Sequence, residues 1–155
     1  MASVFDVADF FLAKQNTDAG DTISNMKLQK LCYYAQGFCL AILGDPLFRD
    51  EIEAWKYGPV IPSLYNKYSS YGASSLPIPA RTMEEIYKNF SHKQLNVLEE
   101  VYEVYGQYSA WRLSEFTHDE PTWRKHFDPQ DTGLKEVIPQ AEMKAYFLTQ
   151  INNDN

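Results

Sequence analysis

From Ser3 to Lys14 the apolar residues Val4, Val7, Ala8 and Phe11 recur three or four positions apart, the spacing that lines one face of an α-helix. Ser3 and Asp6 form a capping box at its start. The polar stretch 15–22, holding Gly20, predicts a loop. Ser24 is then placed as the N-cap of the longest helix, 25–43, which Gly44-Asp45-Pro46 ends. Within it Leu28, Leu31, Cys32, Ala35, Cys39 and Ile42 make one apolar stripe. Lys27, Lys30, Tyr34 and Gly37 make a second row. Beyond Leu31 the helix is apolar nearly all round, which predicts a central core element. A mid-helix glycine costs about 1 kcal/mol relative to alanine, so Gly37 predicts a closely packed neighbour.

Alternation at Leu47-Phe48 and again over 52–57 predicts two short strands with a turn between them. Gly58-Pro59-Val60-Ile61-Pro62 redirects the chain, and Pro62 opens a helix to Tyr71. An extended connector with Pro77 and Pro79 leads to a short helix at 83–89. Ser91 and Gln94 form a second capping box, opening a helix to about Tyr105 with Leu95, Leu98, Tyr102 and Tyr105 towards the core. Ser109 caps a helix through Phe116, Pro121 starts another through about Phe127, and Pro139 opens a last one to about Ile151. That last helix is expected to bury Ala141, Ala145 and Leu148. The elements add up to an all-α fold, a mainly helical single domain over 1–155 with a minor short β-hairpin.

Composition narrows the function classes. The net charge is −7, with 11 acids and 6 bases in residues 91–155 and 10 acids and 8 bases before them. No basic field exists to displace counterions from phosphate, so nucleic-acid binding is not expected, and the acidic half favours a basic partner surface or serves solubility. Neither an N-terminal signal region nor an apolar run of 18 residues is present, which predicts a cytoplasmic protein that does not enter the membrane. Cys32 and Cys39 lie seven apart on one helix, about 10 Å of rise, too far for a disulfide. Two free thiols fit a reducing compartment. The spacing of His, Cys and carboxylates offers no metal site, and no cofactor is expected.

Catalytic patterns are sparse. The seven glycines are isolated and build no phosphate loop, and no G-x-S-x-G elbow occurs. His118-Asp119-Glu120 is the most enzyme-like cluster, because a histidine beside carboxylates can act as a base. The same residues also suit a helix end, with His118 on terminal carbonyls and the acids capping the helix that Pro121 begins. Cys32 sits on the apolar stripe, where a thiol is inert.

The run Met26 to Gly37, followed by Pro46-Leu47-Phe48 and then Ile52 to Val60, resembles the Panacea domain, the family of SocA-like antitoxins and GepA-like phage-associated proteins. Val104-Tyr105-Gly106, Ser109-Ala110, Leu113, His118 and Pro121-Thr122-Trp123 extend the similarity, so that it spans about residues 3–127. Thr122 departs from the pattern, which places Trp directly after Pro. The resemblance implies a helical, non-enzymatic protein that neutralises a toxin encoded nearby by direct protein contact. It equally admits an adaptor or regulatory protein without a toxin, and a hydrolase centred on His118 is the third reading. Partner specificity is expected in the tail 128–155, where the similarity is least.

Helical spacing and the chain reversal at Gly58-Pro59 together define the candidate partner-binding residues Lys27, Lys30, Tyr34, Trp55 and Tyr57. Aromatic anchors beside basic heads are the ingredients of an interaction hot spot. The alternative for the same residues is a packing cluster with Trp55 in the core and the lysines solvated.

Overall fold

The computed structural model describes residues 1–16, 18–130 and 133–152. Among them are eight helices and one two-stranded sheet: α1 Val4–Leu12, α2 Asn25–Leu43, β1 Glu53–Trp55, β2 Gly58–Val60, α3 Pro62–Tyr68, α4 Met83–Tyr87, α5 His92–Tyr105, α6 Ala110–His118, α7 Pro121–Arg124 and α8 Gln140–Asn152. A single 3₁₀ turn, Ser69–Tyr71, completes the stretch read as one helix from Pro62. The fold is mainly helical with a minor hairpin.

Local chemistry sets the helix starts. Ser3 and Ser91 each accept from the backbone three residues on while Asp6 and Gln94 reach back, closing both capping boxes. Ser24, Thr82 and Ser109 cap α2, α4 and α6 through their hydroxyls. Gly44 ends α2 in the left-handed conformation at φ 84°.

α2 is the hub. It packs against α1, α3, α5, α6, α8 and β2, and from Leu28 to Gly37 every residue on it is buried. Gly37 explains how α8 approaches: a Cβ there would stand 2.2 Å from the Phe147 ring. Phe147 therefore occupies the space a side chain would fill, in edge-to-face contact with Tyr33, Tyr34 and Phe38.

Three packing faces differ from the pattern reading. On α8 the buried residues are Met143 and Phe147, while Ala141, Ala145 and Leu148 face outward. The larger side chains bury more apolar area, and the slot over Gly37 accepts a ring. On α5 the buried set is Val97, Leu98 and Val101, with Leu95, Tyr102 and Tyr105 only partly covered. Ile42, the last member of the α2 stripe, is half-exposed because it lies near the end of the helix.

The hairpin is also placed differently. Leu47 and Phe48 form no strand: their N–H groups donate to Gln36 Oε1 at 2.7 and 3.3 Å, and Gln36 Nε2 donates to the Phe48 carbonyl at 2.8 Å. The buried glutamine thus serves the backbone that a sheet would otherwise satisfy. The sheet instead pairs β1 with β2 antiparallel across the two-residue turn Lys56-Tyr57, with Trp55 opposite Gly58. Residues 136–138 close the outer edge of β1: Ala54 N–H donates to the Glu136 carbonyl and Ile138 N–H to that of Ile52. After α1 the Gln15 amide donates to the Leu12 and Leu76 carbonyls and accepts from Ile23 N–H.

Candidate functional site

The five candidate residues do not share one face. Lys27 leaves α2 sideways and donates to the Gly106 carbonyl at 2.7 Å, placing its cation at the C-terminal end of α5. Burial holds its pKa below the ordinary lysine value, opposed by the charge of Asp21.

Tyr34 turns inward. Its ring stacks on Tyr105 at 4.0 Å, and its hydroxyl donates to Glu120 Oε2 at 2.7 Å. Tyr33 donates to Glu120 Oε1 at 2.6 Å and shares a 2.6 Å hydrogen bond with Thr122. Glu120 sits at the N-cap position of α7 without capping it, because its carboxylate is drawn inside by two phenols. Burial pushes its pKa up to about 7, against the lowering effect of the two tyrosine hydrogen bonds. Thr122, the departure from the family pattern, completes this network.

Lys56 and Tyr57 form the exposed tip of the hairpin beside the half-buried Trp55, and the carbonyls of all three are held from behind. Trp123 Nε1 donates to Trp55 at 2.6 Å, the His118 ring nitrogen lies 3.2 Å from the Lys56 carbonyl, and Ser114 Oγ donates to Tyr57 at 2.6 Å. His118 also stacks on Trp123 at 4.2 Å. The histidine therefore clamps the hairpin turn rather than the terminal carbonyls of its own helix, and Asp119 and Glu120 supply no side-chain cap to α7. Trp111, one turn before Ser114 on α6, is 65% exposed, and Tyr57 is 45% exposed.

Lys30 and the hairpin meet around one cavity of about 230 Å³. Trp55 and Tyr57 form its aromatic wall, with Tyr65 in edge-to-face contact with Trp55 at 5.0 Å. Lys56 and Lys135 stand at the mouth, over the Tyr57 and Trp55 rings respectively. Lys30 is 1% exposed, and desolvation pushes its pKa down to about 7. Gly58 lies against its stem: a Cβ there would stand 2.5 Å from Lys30 Cε and 2.7 Å from Thr117 Oγ1. The turn can close over the lysine because residue 58 has no side chain.

Of the five candidates that sequence spacing named, Lys30, Trp55 and Tyr57 line this cavity. Sequence spacing missed Tyr65, Lys56 and Lys135, which come from separate elements, and it missed Tyr33, Glu120 and Thr122, whose pairing spans more than 80 positions. A glutamate beside a proline at a helix start carries the signature of a cap, which hid its inward role.

Cys32 and Cys39 are buried free thiols, and burial raises both pKa values. Among the described residues, no group of three or more His, Cys, Asp or Glu is placed to hold a metal. Among the same residues, no helix is long and apolar enough to cross a membrane.

Over 50 residues the chain is 50% identical to "Antitoxin SocA" of Caulobacter vibrioides (strain NA1000 / CB15N), a match covering 32% of this chain and 27% of that protein. No solved structure matches significantly. The family model "Antitoxin SocA-like, Panacea domain" matches residues 28–124, which take in α2 from Leu28 onward, the hairpin, the clamp of α6 and Glu120. The chain belongs to the SocA-like antitoxin family characterised by the Panacea domain.

Proposed function

We propose that this chain is a cytoplasmic, non-enzymatic antitoxin that neutralises a toxin encoded beside it by direct protein contact. The observation that carries this reading is the family match over 28–124. Geometry supports it: the hairpin tip offers Trp55 and Tyr57 beside three lysines, braced from behind by Ser114, His118 and Trp123. Rigid aromatic anchors with a pre-organised backbone suit protein binding. In this reading Lys30, Trp55 and Tyr57 contact the partner. Lys27 and Tyr34 hold α2 in place behind them.

The test is co-expression. A short neighbouring reading frame should arrest growth alone, lose that effect beside this protein, and co-purify with it. A neighbour that is harmless alone but still co-purifies would favour the adaptor reading. His118→Ala should leave any hydrolytic background unchanged, since the histidine faces a backbone carbonyl and a tryptophan ring.

A further inference from the structure

The Lys30 side chain is buried on α2 beneath Gly58 of β2 yet, among the described residues, makes no hydrogen bond or ion pair, and desolvation alone lowers its pKa. Among the described residues, no side-chain nitrogen or oxygen that is fully shut from solvent lacks a hydrogen-bond partner. The ammonium must therefore reach the cavity it lines. A buried, unpaired cation is costly, so the amine shifts towards its neutral form unless a carboxylate is brought beside it.

The rest of the cavity defines what would offset it. Among the described residues three lysines, Lys30, Lys56 and Lys135, line it and no Asp or Glu does, in a chain whose net charge is −7. Gln29, also in the lining, has its oxygen committed to Ile61 N–H and its amide to Asn25. Glu53 accepts the Trp55 indole N–H at 2.9 Å and is not part of the lining. The remaining wall is apolar, formed by Met26, Trp55 and Val60 among others. One turn of α-helix fills a cylinder of about 420 Å³. A cavity of about 230 Å³ therefore takes a side chain and not a helix.

We propose that this cavity is an acceptor site for a single acidic side chain, aspartate or glutamate, presented by the protein partner. Its carboxylate pairs with the Lys30 ammonium at the floor, and its methylene stem lies against Trp55 and Tyr57. Lys56 at the mouth draws the carboxylate in. The proposal rests on the protein-binding reading above. It adds that the partner, whose wider surface should be basic to match the charge of −7, carries one acidic anchor.

The experiment has two arms on the full-length protein. In the first, N-acetyl-glutamate amide and its neutral isostere N-acetyl-glutamine amide are titrated while the Trp55 indole N–H resonance is followed by NMR. The charged compound should shift it saturably in the millimolar range, the neutral one should not, and Lys30→Met should abolish the response. Equal responses to both compounds overturn the proposal, and this comparison needs no variant. In the second arm the co-purifying partner is bound to wild-type and Lys30→Met protein, each checked by thermal melting. A loss of about tenfold or more in affinity is expected. Unchanged affinity overturns the proposal and leaves the antitoxin reading intact. A partner that is not toxic, but is bound at least tenfold more weakly by Lys30→Met, retires the antitoxin reading and supports the site.

Discussion

Gly58 and Lys30 occupy adjoining space that admits only one side chain: a Cβ on the glycine would stand 2.5 Å from Cε of the lysine. Gly58 also has φ 117°, a conformation that L residues rarely adopt. Gly58→Ala should therefore destabilise by about 1–3 kcal/mol in urea titrations. Adding Lys30→Ala should recover only part, because it removes the contact with Cε and leaves the backbone strain and the Thr117 contact.

Lys30 should give a basic-side pH signature. Its folded pKa is about 7 against an ordinary 10.5, so between these values the unfolded chain binds more protons and stability rises with pH. The cost of the buried charge is full below pH 7 and fades by about pH 10.5. Lys30→Met should be more stable than wild type at pH 7, with a gap that narrows by roughly 1 kcal/mol per pH unit above it. Urea midpoints at pH 7, 8 and 9 measure this.

Glu120 acts in the opposite direction and in another window. Its pKa is raised to about 7 from 4.5, so the folded protein binds more protons between these values. Its contribution is fully present below pH 4.5 and lost as pH rises through 7. Glu120→Gln should flatten that decline, seen as a smaller difference between urea midpoints at pH 5 and pH 7.5.

Tyr34→Phe removes one of the two phenols that donate to the Glu120 carboxylate. A buried acceptor that loses a partner costs about 1–3 kcal/mol. The stacked ring on Tyr105 remains, so helical circular dichroism should be unchanged while the melting temperature falls. If the tyrosine only supports the site, purified Tyr34→Phe should bind the partner as wild type does below its melting point.

Gly37→Ala places a methyl within the Phe147 ring and should displace α8 from α2, destabilising by about 1–3 kcal/mol. Phe147→Ala alone should cost about 3–5 kcal/mol. In the double variant the alanine methyl fills part of the vacated space, so the two effects should be less than additive, as a double-mutant cycle by urea denaturation would show.

The sequence by itself determined what depends on neighbours in the chain. Serines at 3, 24, 91 and 109 begin helices because their hydroxyls satisfy backbone donors within the same turn. The apolar circumference of 31–43 marked α2 as the hub, and Gly37 announced a close neighbour without naming it. The run from Met26 through Val60 was distinctive enough to indicate the family. Lys30, Trp55 and Tyr57 were legible as candidates because an amine and aromatic rings at those spacings suit a binding face.

Only the tertiary structure decided which faces close. Periodicity gives an angle around a helix axis but not the shape of what lies opposite, so α8 buries Phe147 over Gly37 and leaves its alanines outside. Strand pairing could not be read at Leu47-Phe48 because a distant side chain, Gln36, satisfies that backbone instead. The same limit separated five candidate residues into three environments: Lys27 on a helix end, Tyr34 on a buried carboxylate, and Lys30 with Trp55 and Tyr57 around a cavity. Whether a lysine is solvated or buried depends on what folds over it, and here that cover is a glycine turn 28 residues further along the chain.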